Sequence, residues 1–425
     1  MRWPPFFLSV IIGICFFVFP LAAQPIHEYI DLQLHPCIHI PYTFYDEGLT
    51  YFDEGHPPEL SWKHLITNVN YANYLRKNKG ARILVVGALT EENIASAKRA
   101  RKVILKQVDR VNEFAAANPD DFVVARTPAE VRQLVHTTDK TIFVHSIEGG
   151  KRLINSQEDA QFWADQGVAF ITLIHLVDSD LGGAAIKPGF IPSLLNFHGL
   201  FYKRAKRGLT VKGKQAILWL ANAGVMTDLT HMSDASRNDA LDLMEERKIP
   251  PLVTHDLFKP IHNQPRGITE ENLLRIYAAN GMMSLPVSGE SCMPYHSRAD
   301  YQNKLDSLER YCNGSIDSYK FVYESVKSFL EIKLPDAYDL AIGFQSDFNG
   351  GLNHHRPRYG EDGCRPAHPD STYEAIELQG LAHPGLLESH WRLLEKEGVD
   401  LAPIRRSSEK FLRMWEYVLE KKGSF

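Results

Sequence analysis

Cysteine is scarce in this chain, and several familiar catalytic motifs are missing. Only 5 of the 425 residues are cysteine and no C-x-x-C occurs, which disfavours a cysteine-based zinc or redox site. There is no H-E-x-x-H, no G-x-x-x-x-G-K-[ST] and no G-x-S-x-G, so the zincin, P-loop and serine-elbow templates all fail. No G-x-G-x-x-G follows an early strand, which argues against a dinucleotide-binding sheet.

A strong charge imbalance is also missing. The chain has 47 Lys and Arg against 52 Asp and Glu, a net charge of −5, and no long basic run. Nucleic acid is therefore not an expected partner, because its phosphates require a basic surface. The hydrophobic fraction of 44% and charged fraction of 23% are ordinary for a globular protein, and the length allows one large domain or two smaller ones.

The longest apolar run lies at the N-terminus, in "MRWPPFFLSVIIGICFFVFPLAAQ". Arg2 supplies a positive start and "LAA" supplies small residues for cleavage, so residues 1–23 are predicted to be a signal peptide. Because the run is long, an uncleaved N-terminal membrane anchor is the alternative. Either way the protein is predicted to be exported, to a periplasm or to the outside of the cell.

Export would permit disulfide bonds among the cysteines that remain after cleavage. These are Cys37, Cys292, Cys312 and Cys364. Cys292 with Cys312 is the expected local pair, although the spacing does not fix the connectivity.

Strand-like and helix-like runs alternate along the rest of the chain. Several strand-like runs are almost continuously apolar, which is typical of parallel strands covered on both faces. The predicted strands are Tyr29–His35, Arg82–Leu89, Thr141–Ile147, Val168–His175, Val225–Thr230, Pro251–His255, Met282–Pro286 and Leu340–Gln345. The predicted helices include Glu91–Ala117, Ser156–Gln166, Val211–Ala223, Ser233–Arg247 and Thr269–Asn280. This order predicts an α/β fold over residues 24–425, a single (β/α)8 TIM-type barrel with insertions, and leaves an open doubly wound sheet as the alternative.

One segment departs from this alternation. Residues 288–337 are polar, contain two cysteines and include a helical run from Ile316 to Leu330. They are interpreted as an insertion after the seventh strand, which in a barrel would form a lid-like segment over the mouth. A plain surface excursion is the alternative.

Polar side chains follow six of the predicted strands at their C-terminal ends. They are His35, Glu148, His175, His231, His255 and Asp347. In a (β/α)8 barrel these ends meet at one mouth, where active sites lie. Each residue alone could be structural or part of a turn, but imidazoles and carboxylates together are the ligands that suit zinc. The set therefore predicts a metal site.

Long stretches of the chain resemble the membrane dipeptidase (renal dipeptidase) family, within the amidohydrolase-like barrels. The similar segments are "IEGGKRLINSQEDAQFWADQGVAFITLIH", "GLTVKGKQAILWLANAGVMTDLTHMS", "PPLVTHD", "AIGFQSDFNGG" and "SSEKFLRMWEYV". Their order and spacing are also similar to that family. The resemblance implies a (β/α)8 barrel with two zinc ions that hydrolyses dipeptides, and it leaves a homodimer open.

The resemblance also implies a role for most of the strand-end residues. Glu148 matches the carboxylate that bridges two metals, and His231 and His255 match the two histidines of one metal. His175 matches the histidine that helps to polarise the substrate. Asp347 matches the carboxylate that handles the proton of the attacking water.

Two positions depart from the family pattern or match it less well. Arg266, in "HNQPRGIT", matches the arginine that contacts the substrate, although glycine follows it here instead of asparagine. The first strand reads Gln33-Leu34-His35 where the family reads His-x-Asp. His35 still offers a nitrogen to a metal, whereas Gln33 offers only a neutral carbonyl oxygen, a poor zinc ligand. We therefore expect one well-held zinc ion and a second that is weak or absent, with Asp31 as the only nearby substitute.

The sequence thus predicts a metal-dependent hydrolase that cleaves the amide bond of dipeptides through a metal-activated water. The loop "LVDSDLGG" after His175 differs from the family, so an amidohydrolase-type enzyme acting on another amide or ester is one alternative. A non-catalytic binding protein on the same barrel, inactive through Gln33, is the other. The expected partner is a small peptide substrate, and membrane contact is expected only if the N-terminal segment stays uncleaved.

Overall fold

A computed structural model describes residues 25–37, 72–90, 92, 96–186, 196, 208–288, 312–335 and 339–425. The strands are β1 Ile30–Leu34, β2 Ile83–Leu89, β3 Phe122–Ala125, β4 Thr141–Glu148, β5 Val168–Thr172, β6 Met226–Asp228, β7 Leu252–Val253, β8 Leu257–Phe258, β9 Gly267–Ile268, β10 Met282–Pro286 and β11 Gly343–Gln345. Eight of them pair in parallel in the order β1-β2-β4-β5-β6-β7-β10-β11, and β11 pairs with β1 again. This closed ring confirms the predicted TIM-type barrel and rules out the open sheet.

Helices separate most of the strands. They are α1 Ala72–Arg76, α2 Ala97–Ala117, α3 Pro128–Thr137, α4 Gln157–Asp165, α5 Val211–Ala223, α6 Asp234–Arg247, α7 Glu270–Ala278, α8 Ile316–Lys333, α9 Ala375–Gln379, α10 Leu387–Lys396 and α11 Ala402–Glu420. Hydroxyl side chains cap several of them, because the first N–H groups of a helix lack intrahelical partners. Thr210 accepts a hydrogen bond from Gly213 N, and Ser233 accepts one from Ser236 N. Ser233 therefore begins α6 only two residues after His231.

Strand register brings the C-terminal ends of neighbouring strands to one level of the rim. Leu89 of β2 lies opposite Glu148 of β4, and Glu148 lies opposite Thr172 of β5. Thr172 in turn lies opposite Asp228 of β6. Side chains that follow these positions therefore meet above the barrel core.

The first strand pairs irregularly with β2. Asp31 lies opposite Leu84 and Leu34 lies opposite Val86, so three steps along β1 match two steps along β2. A bulge of this kind redirects side chains. Gly87 of β2 provides the room, because a Cβ there would lie 2.5 Å from Gln33 Nε2 and 2.8 Å from a carbon of the His35 ring.

A tryptophan of α10 covers the seam where the barrel closes. The Trp391 ring stacks on Tyr29, next to β1, at 5.1 Å between ring centroids and meets the edge of Phe344 of β11 at 4.6 Å. Its indole N–H donates to Gly80 O at 2.7 Å. Burying such large rings stabilises the contact between the first and last strands of the barrel.

The expected local disulfide is wrong. Cys312 bonds to Cys364, 52 residues away in sequence, instead of to Cys292, which lies outside the described residues. The chain returns to Cys312 after β11, since Arg356 N donates to Gly314 O at 2.9 Å. Cys37 is a buried free thiol.

The lid-like segment is described only in part. Its helical run forms α8, which packs through Tyr319 against His390 and Trp391 of α10. Residues 289–311 lie outside the described residues, as do residues 1–24, so the lid and the signal peptide stay predictions. Within the described ranges, no helix combines the length and the apolar character needed to cross a membrane.

Candidate metal centre

The predicted strand-end residues come together at the mouth of the barrel. Glu148 ends β4, while His231 and His255 follow β6 and β7. His35 follows β1, and Asp347 follows β11. All five side chains are buried. They form two groups that share Glu148.

The first group, the His231 group, consists of Glu148, His231 and His255. Glu148 Oε1 lies 3.3 Å from His231 Nε2 and 3.1 Å from His255 Nε2. The two ring nitrogens are 2.9 Å apart. Two imidazole nitrogens and one carboxylate oxygen are a typical ligand set of catalytic zinc, which keeps a fourth position open.

The second group, the His35 group, consists of His35, Glu148 and Asp347. His35 Nε2 lies 3.1 Å from Glu148 Oε2 and 3.1 Å from Asp347 Oδ1. Glu148 therefore turns one oxygen to each group, which is the geometry of a bridging carboxylate. The residues present fit divalent cations at both groups. Asp347 belongs to the strand-end set predicted from the sequence, although the family resemblance gives it a role in proton transfer instead of metal binding.

Ring protonation at the mouth depends on the neighbouring carboxylates. Burial alone would lower the pKa of His35, but hydrogen bonds to Asp347 and Glu148 outweigh it and raise the pKa to about 10. Burial also opposes the charged form of His255, yet contact with Glu148 raises its pKa above the usual value. His231 differs, because burial holds its pKa well below the usual value. A cation must therefore displace protons from His35 and His255, so metal binding is expected to weaken at low pH.

His175 lies beside the two groups. Its Nε2 is 3.6 Å from Glu148 Oε1, and its ring meets the edge of the His231 ring at 4.6 Å between centroids. Burial lowers the pKa of His175 to about 4. Burial raises the pKa of Glu148, but the charge of His175 and the bonded rings outweigh it and hold that pKa well below its usual value. Glu148 is therefore ionised.

Gln33 occupies the floor of the His35 group. Its Nε2 lies 3.3 Å from His35 Nε2, and its Oε1 accepts a hydrogen bond from Ser146 Oγ at 3.4 Å. Asp31 does not take over its place, since its carboxylate accepts bonds from Ser346 N at 2.8 Å and from Ser346 Oγ at 2.5 Å. Burial raises the pKa of Asp31 to about 7. Gln33 thus contacts His35, but it offers a metal only a neutral amide oxygen, which is bonded to Ser146.

The far nitrogens of two ligand rings are already engaged. His35 Nδ1 lies 2.8 Å from Gly87 O, which can only accept, so Nδ1 carries the proton there. His255 Nδ1 lies 2.8 Å from Thr254 Oγ1. Such contacts fix the tautomer and leave each Nε2 free to face the shared carboxylate.

Asp228 supports this arrangement from below, and the sequence reasoning missed it. It accepts five hydrogen bonds, from Thr172 Oγ1, from Thr230 N and Oγ1, and from Thr254 N and Oγ1, at 2.6–3.1 Å. Thr254 Oγ1 thereby donates to Asp228 while it accepts from His255. The sequence does carry a sign of this support, because a threonine directly precedes each ligand histidine in "LTH" and "VTH".

Two of the site residues have strained backbones. His231 has φ 64° and Asp347 has φ 51°, in the left-handed region that residues with a Cβ seldom adopt. Strain of this kind persists only where surrounding structure enforces it and clusters at functional sites.

Arg266 lies next to the His231 group. Its guanidinium donates to His255 O at 2.7 Å and contacts Asp256 Oδ1 at 3.4 Å. Asp256 also pairs with the buried Arg237 at 2.8 Å. Arg266 is therefore held in place beside the metal centre, with 14% of its side chain exposed.

A model of one protein family, "Membrane dipeptidase (Peptidase family M19)", matches residues 56–313, more than half of the chain. The chain belongs to this family. The match confirms the resemblance seen in the sequence. The site residues inside the matched range are Glu148, His175, His231, His255 and Arg266. His35 and Asp347 lie outside it and reach the centre through closure of the barrel.

Individual members of the family are distant from this chain. An uncharacterized dipeptidase of Schizosaccharomyces pombe, C3A11.10c, is 21% identical over 209 residues, 49% of this chain and 47% of that protein. Dipeptidase 3 of Rattus norvegicus is 23% identical over 182 residues, 43% of this chain and 33% of that protein. The chain thus spans half or less of the length of these curated relatives.

Solved structures cover the fold more completely. A metallo peptidase from Rhodobacter sphaeroides, solved with a phosphinate mimic of the dipeptide L-Ala-D-Ala, superposes with a TM-score of 0.61. The match covers 92% of this chain and 99% of that one at 15% identity. At this identity the likeness supports the barrel fold alone.

Proposed function

We propose that this protein is a metal-dependent hydrolase that cleaves the amide bond of dipeptides. The observation that carries the proposal is the convergence of Glu148, His231 and His255 at the mouth of a barrel of the membrane dipeptidase family. The Rhodobacter sphaeroides relative binds a dipeptide mimic, which supports a dipeptide as the substrate class.

The His231 group would hold a zinc ion. When bound there, zinc would polarise a carbonyl and lower the pKa of a coordinated water from 15.7 towards about 7. Asp347 belongs to the neighbouring group that shares Glu148 with this site, and it would take the proton of the attacking water and return it to the leaving amine. His175 stabilises the developing oxyanion from its place 3.6 Å from Glu148.

Arg266 would bind the free carboxylate of the dipeptide. Its contact with His255 O fixes the guanidinium beside the reacting carbonyl, and a guanidinium fork matches a carboxylate well. Holding the terminal carboxylate there would position the amide bond against the His231 group, which converts a bimolecular encounter into an oriented one.

We further propose that the two groups hold zinc unequally. The His231 group has two histidines and Glu148, whereas beside the other group Gln33 and His35 stand where the family sequence reads His-x-Asp. The chain thus loses a carboxylate at His35 and an imidazole at Gln33. A carboxylate contributes more to a dication than a neutral ligand does, because a unit charge pair at 4 Å is worth about 4 kcal/mol at an effective dielectric of 20. One tightly held zinc ion and one weak site are the expected result.

Export is part of the proposal as well. The Cys312–Cys364 disulfide supports it, because such bonds persist in oxidising compartments outside the cytosol. A mature secreted or periplasmic enzyme that acts on small peptides agrees with this disulfide.

The decisive experiment compares the wild type with Asp347→Asn on a panel of dipeptides with added zinc or manganese. Turnover by the wild type and its loss in the variant would support the proposal. Equal, background-level rates for both proteins would favour a non-catalytic binding protein, and turnover only of other amides or esters would redirect the substrate class. Bound zinc, measured alongside, separates a lost proton acceptor from a lost metal.

A further inference from the structure

Two buried charged side chains near the mouth, Glu92 and Lys151, belong to neither ligand group of the candidate metal centre. Glu92 and Lys151 are each only 8% exposed. Within the described structure, Glu92 Oε1 and Lys151 Nζ are buried atoms that have no hydrogen-bond partner. Buried charges without partners are unfavourable, so such atoms point to a group that is bound only in the working protein.

Glu92 is anchored through its other oxygen. Oε2 accepts a hydrogen bond from Leu176 N at 3.1 Å and lies 3.9 Å from His175 Nδ1. Gly149, with φ 105°, makes room for the carboxylate, because a Cβ there would lie 2.7 Å from Glu92 Oε1. The unpartnered oxygen is therefore held at the loop that directly follows Glu148.

Lys151 lies in that same loop and acts on Glu92 as an opposite charge. Burial raises the pKa of Glu92 to about 7, and the ammonium of Lys151 is the strongest of the effects that oppose this rise. Yet no hydrogen bond or ion pair joins the two side chains among the described contacts. Lys151 can only donate, and Glu92 in its ionised form can only accept, yet the two side chains are not bonded to each other.

The other carboxylates around the mouth are already engaged. Asp178 accepts from Ala184 N at 2.8 Å and from Asn196 Nδ2 at 3.2 Å. Asp256 pairs with arginines through both oxygens. Glu92 therefore offers a free carboxylate oxygen that neither the metal centre nor its supports use. The N–H of Leu176 donates to Glu92, whereas the Leu176 side chain is 55% exposed. Leu176 therefore lies between the candidate metal centre and solvent.

We propose that Glu92 and Lys151 form the subsite for a substrate side chain and select an uncharged group that both donates and accepts hydrogen bonds, a carboxamide or a hydroxyl. A carboxamide oxygen accepts from Lys151, and its NH2 donates to Glu92. A side-chain carboxylate would face Glu92, and a side-chain ammonium would face Lys151, so both charged types are rejected. This proposal rests on the proposed dipeptide hydrolysis.

The test is a charge switch measured on a matched panel. The zinc-loaded full chain is assayed with Ala-Gln, Ala-Glu, Ala-Lys and Ala-Leu and with the same pairs in reversed order. For the wild type, kcat/KM is expected to be about tenfold higher with glutamine than with glutamate or lysine, since tenfold corresponds to one modest interaction. Glu92→Gln should raise the glutamate-to-glutamine ratio about tenfold. Lys151→Met should raise the lysine-to-glutamine ratio by a similar factor.

The controls separate a subsite from a structural pair. Lys320→Met removes a lysine that already pairs with Glu397 at 3.3 Å, and it should leave every substrate ratio unchanged. Thermal unfolding and bound zinc identify a variant that fails to fold. If one of the two variants does so, the substrate ratios of the other test the subsite.

Three outcomes would overturn one or both ideas. A uniform fall in kcat for all substrates would show that Glu92 and Lys151 only support His175. Wild-type turnover without discrimination among the side chains would overturn the subsite alone. Absence of turnover of every dipeptide by the zinc-loaded wild type would overturn the proposed function and the subsite with it.

Discussion

The histidines at the mouth and the pair His355–His390 on the outer side of the barrel are equally buried, yet their surroundings differ in kind. His35 and His255 face the carboxylate of Glu148 at 3.1 Å. His355 and His390 stack on each other at 5.3 Å between ring centroids, and Trp391 meets the His390 ring at 4.5 Å. No described residue offers a hydrogen-bond partner to their four ring nitrogens.

This difference reverses the chemistry of the same side chain. Burial with carboxylates raises the pKa of His35 to about 10, whereas burial among aromatic rings lowers the pKa of His390 to about 3. Burial also lowers the pKa of His355. His35 and His255, whose pKa values are raised by carboxylates, can exchange a proton for a cation, while the histidines among aromatic rings remain neutral packing groups. A buried histidine is therefore a metal-site candidate only when a carboxylate reaches it.

Glu148→Gln should have the largest effect on zinc binding and on activity. It removes the charge that both groups share, so bound zinc should be lost and kcat/KM should fall by at least about 10³-fold, because activation of water by zinc disappears. Inductively coupled plasma mass spectrometry and a dipeptide assay measure the two effects. His390→Phe is the matched control and should change neither. Retained zinc together with full activity in Glu148→Gln would contradict the assignment.

Asp347→Asn should have the next largest effect. Removal of the proton acceptor should lower kcat about 10²–10⁴-fold, the usual contribution of a general base. The His231 group does not include Asp347, so at least one zinc ion per chain should remain. Steady-state kinetics on protein of known zinc content provide the measurement. A rate equal to that of the wild type would remove Asp347 from the mechanism.

In metal-free protein, His35 and His390 should contribute to the pH dependence of stability with opposite signs. The pKa of His390 is lower in the folded state than the usual 6.5, so its stabilising contribution is present above about pH 6.5 and is lost as the pH falls towards 3. The loss is on the order of 2 kcal/mol at pH 5 by linkage. His35 behaves oppositely, since its contribution is complete below about pH 6.5 and is lost as the pH rises towards 10.

Denaturant unfolding across this pH range tests that contrast. His390→Phe should reduce the acid-induced loss of unfolding free energy without changing the alkaline limb. His35→Phe should reduce the alkaline loss instead. If both variants change the unfolding free energy only at acid pH, or only at alkaline pH, the difference in environment does not control the titration of the two histidines.

Zinc stoichiometry should show the smallest change. The wild type, purified without chelator, should contain about one zinc ion per chain, because Gln33 weakens the His35 group. The double variant Gln33→His, His35→Asp restores the family pattern and should contain about two. Metal analysis of both proteins under one protocol is sufficient. Two stoichiometric zinc ions in the wild type would disprove the unequal sites.

Apolar runs made most of the barrel predictable. Val211–Ala223 forms a helix with the predicted bounds, and Met282–Pro286 forms a strand with the predicted bounds. Other strands are shorter than predicted, such as Val168–Thr172, because the segments up to the site residues leave the sheet to reach the mouth. Strand Phe122–Ala125 was missed, since four residues, two of them partly exposed, give too short a pattern.

The residues of the candidate metal centre were predictable from the sequence, but the hydrogen bonds that join them to their neighbours were not. Strand ends identified Glu148 and the histidines, because barrel topology brings those ends together regardless of loop detail. The hydrogen bonds of Asp228 and the free oxygen of Glu92 depend on side-chain geometry across several strands, which spacing does not encode. The pairing of Cys312 with Cys364 was missed for the same reason, since neighbours in space need not be neighbours in sequence.

The disulfide encloses the last strand of the barrel within a covalent ring. Gly343–Gln345 lies between Cys312 and Cys364, and these three residues form the edge that closes against the first strand. If that seam opens locally, the ring keeps the released strand close to its partner, so its effective concentration stays high and reclosure competes well with escape. Asp347 follows this strand directly. The bond therefore helps Asp347, the proposed proton acceptor, to return to its place after each transient opening.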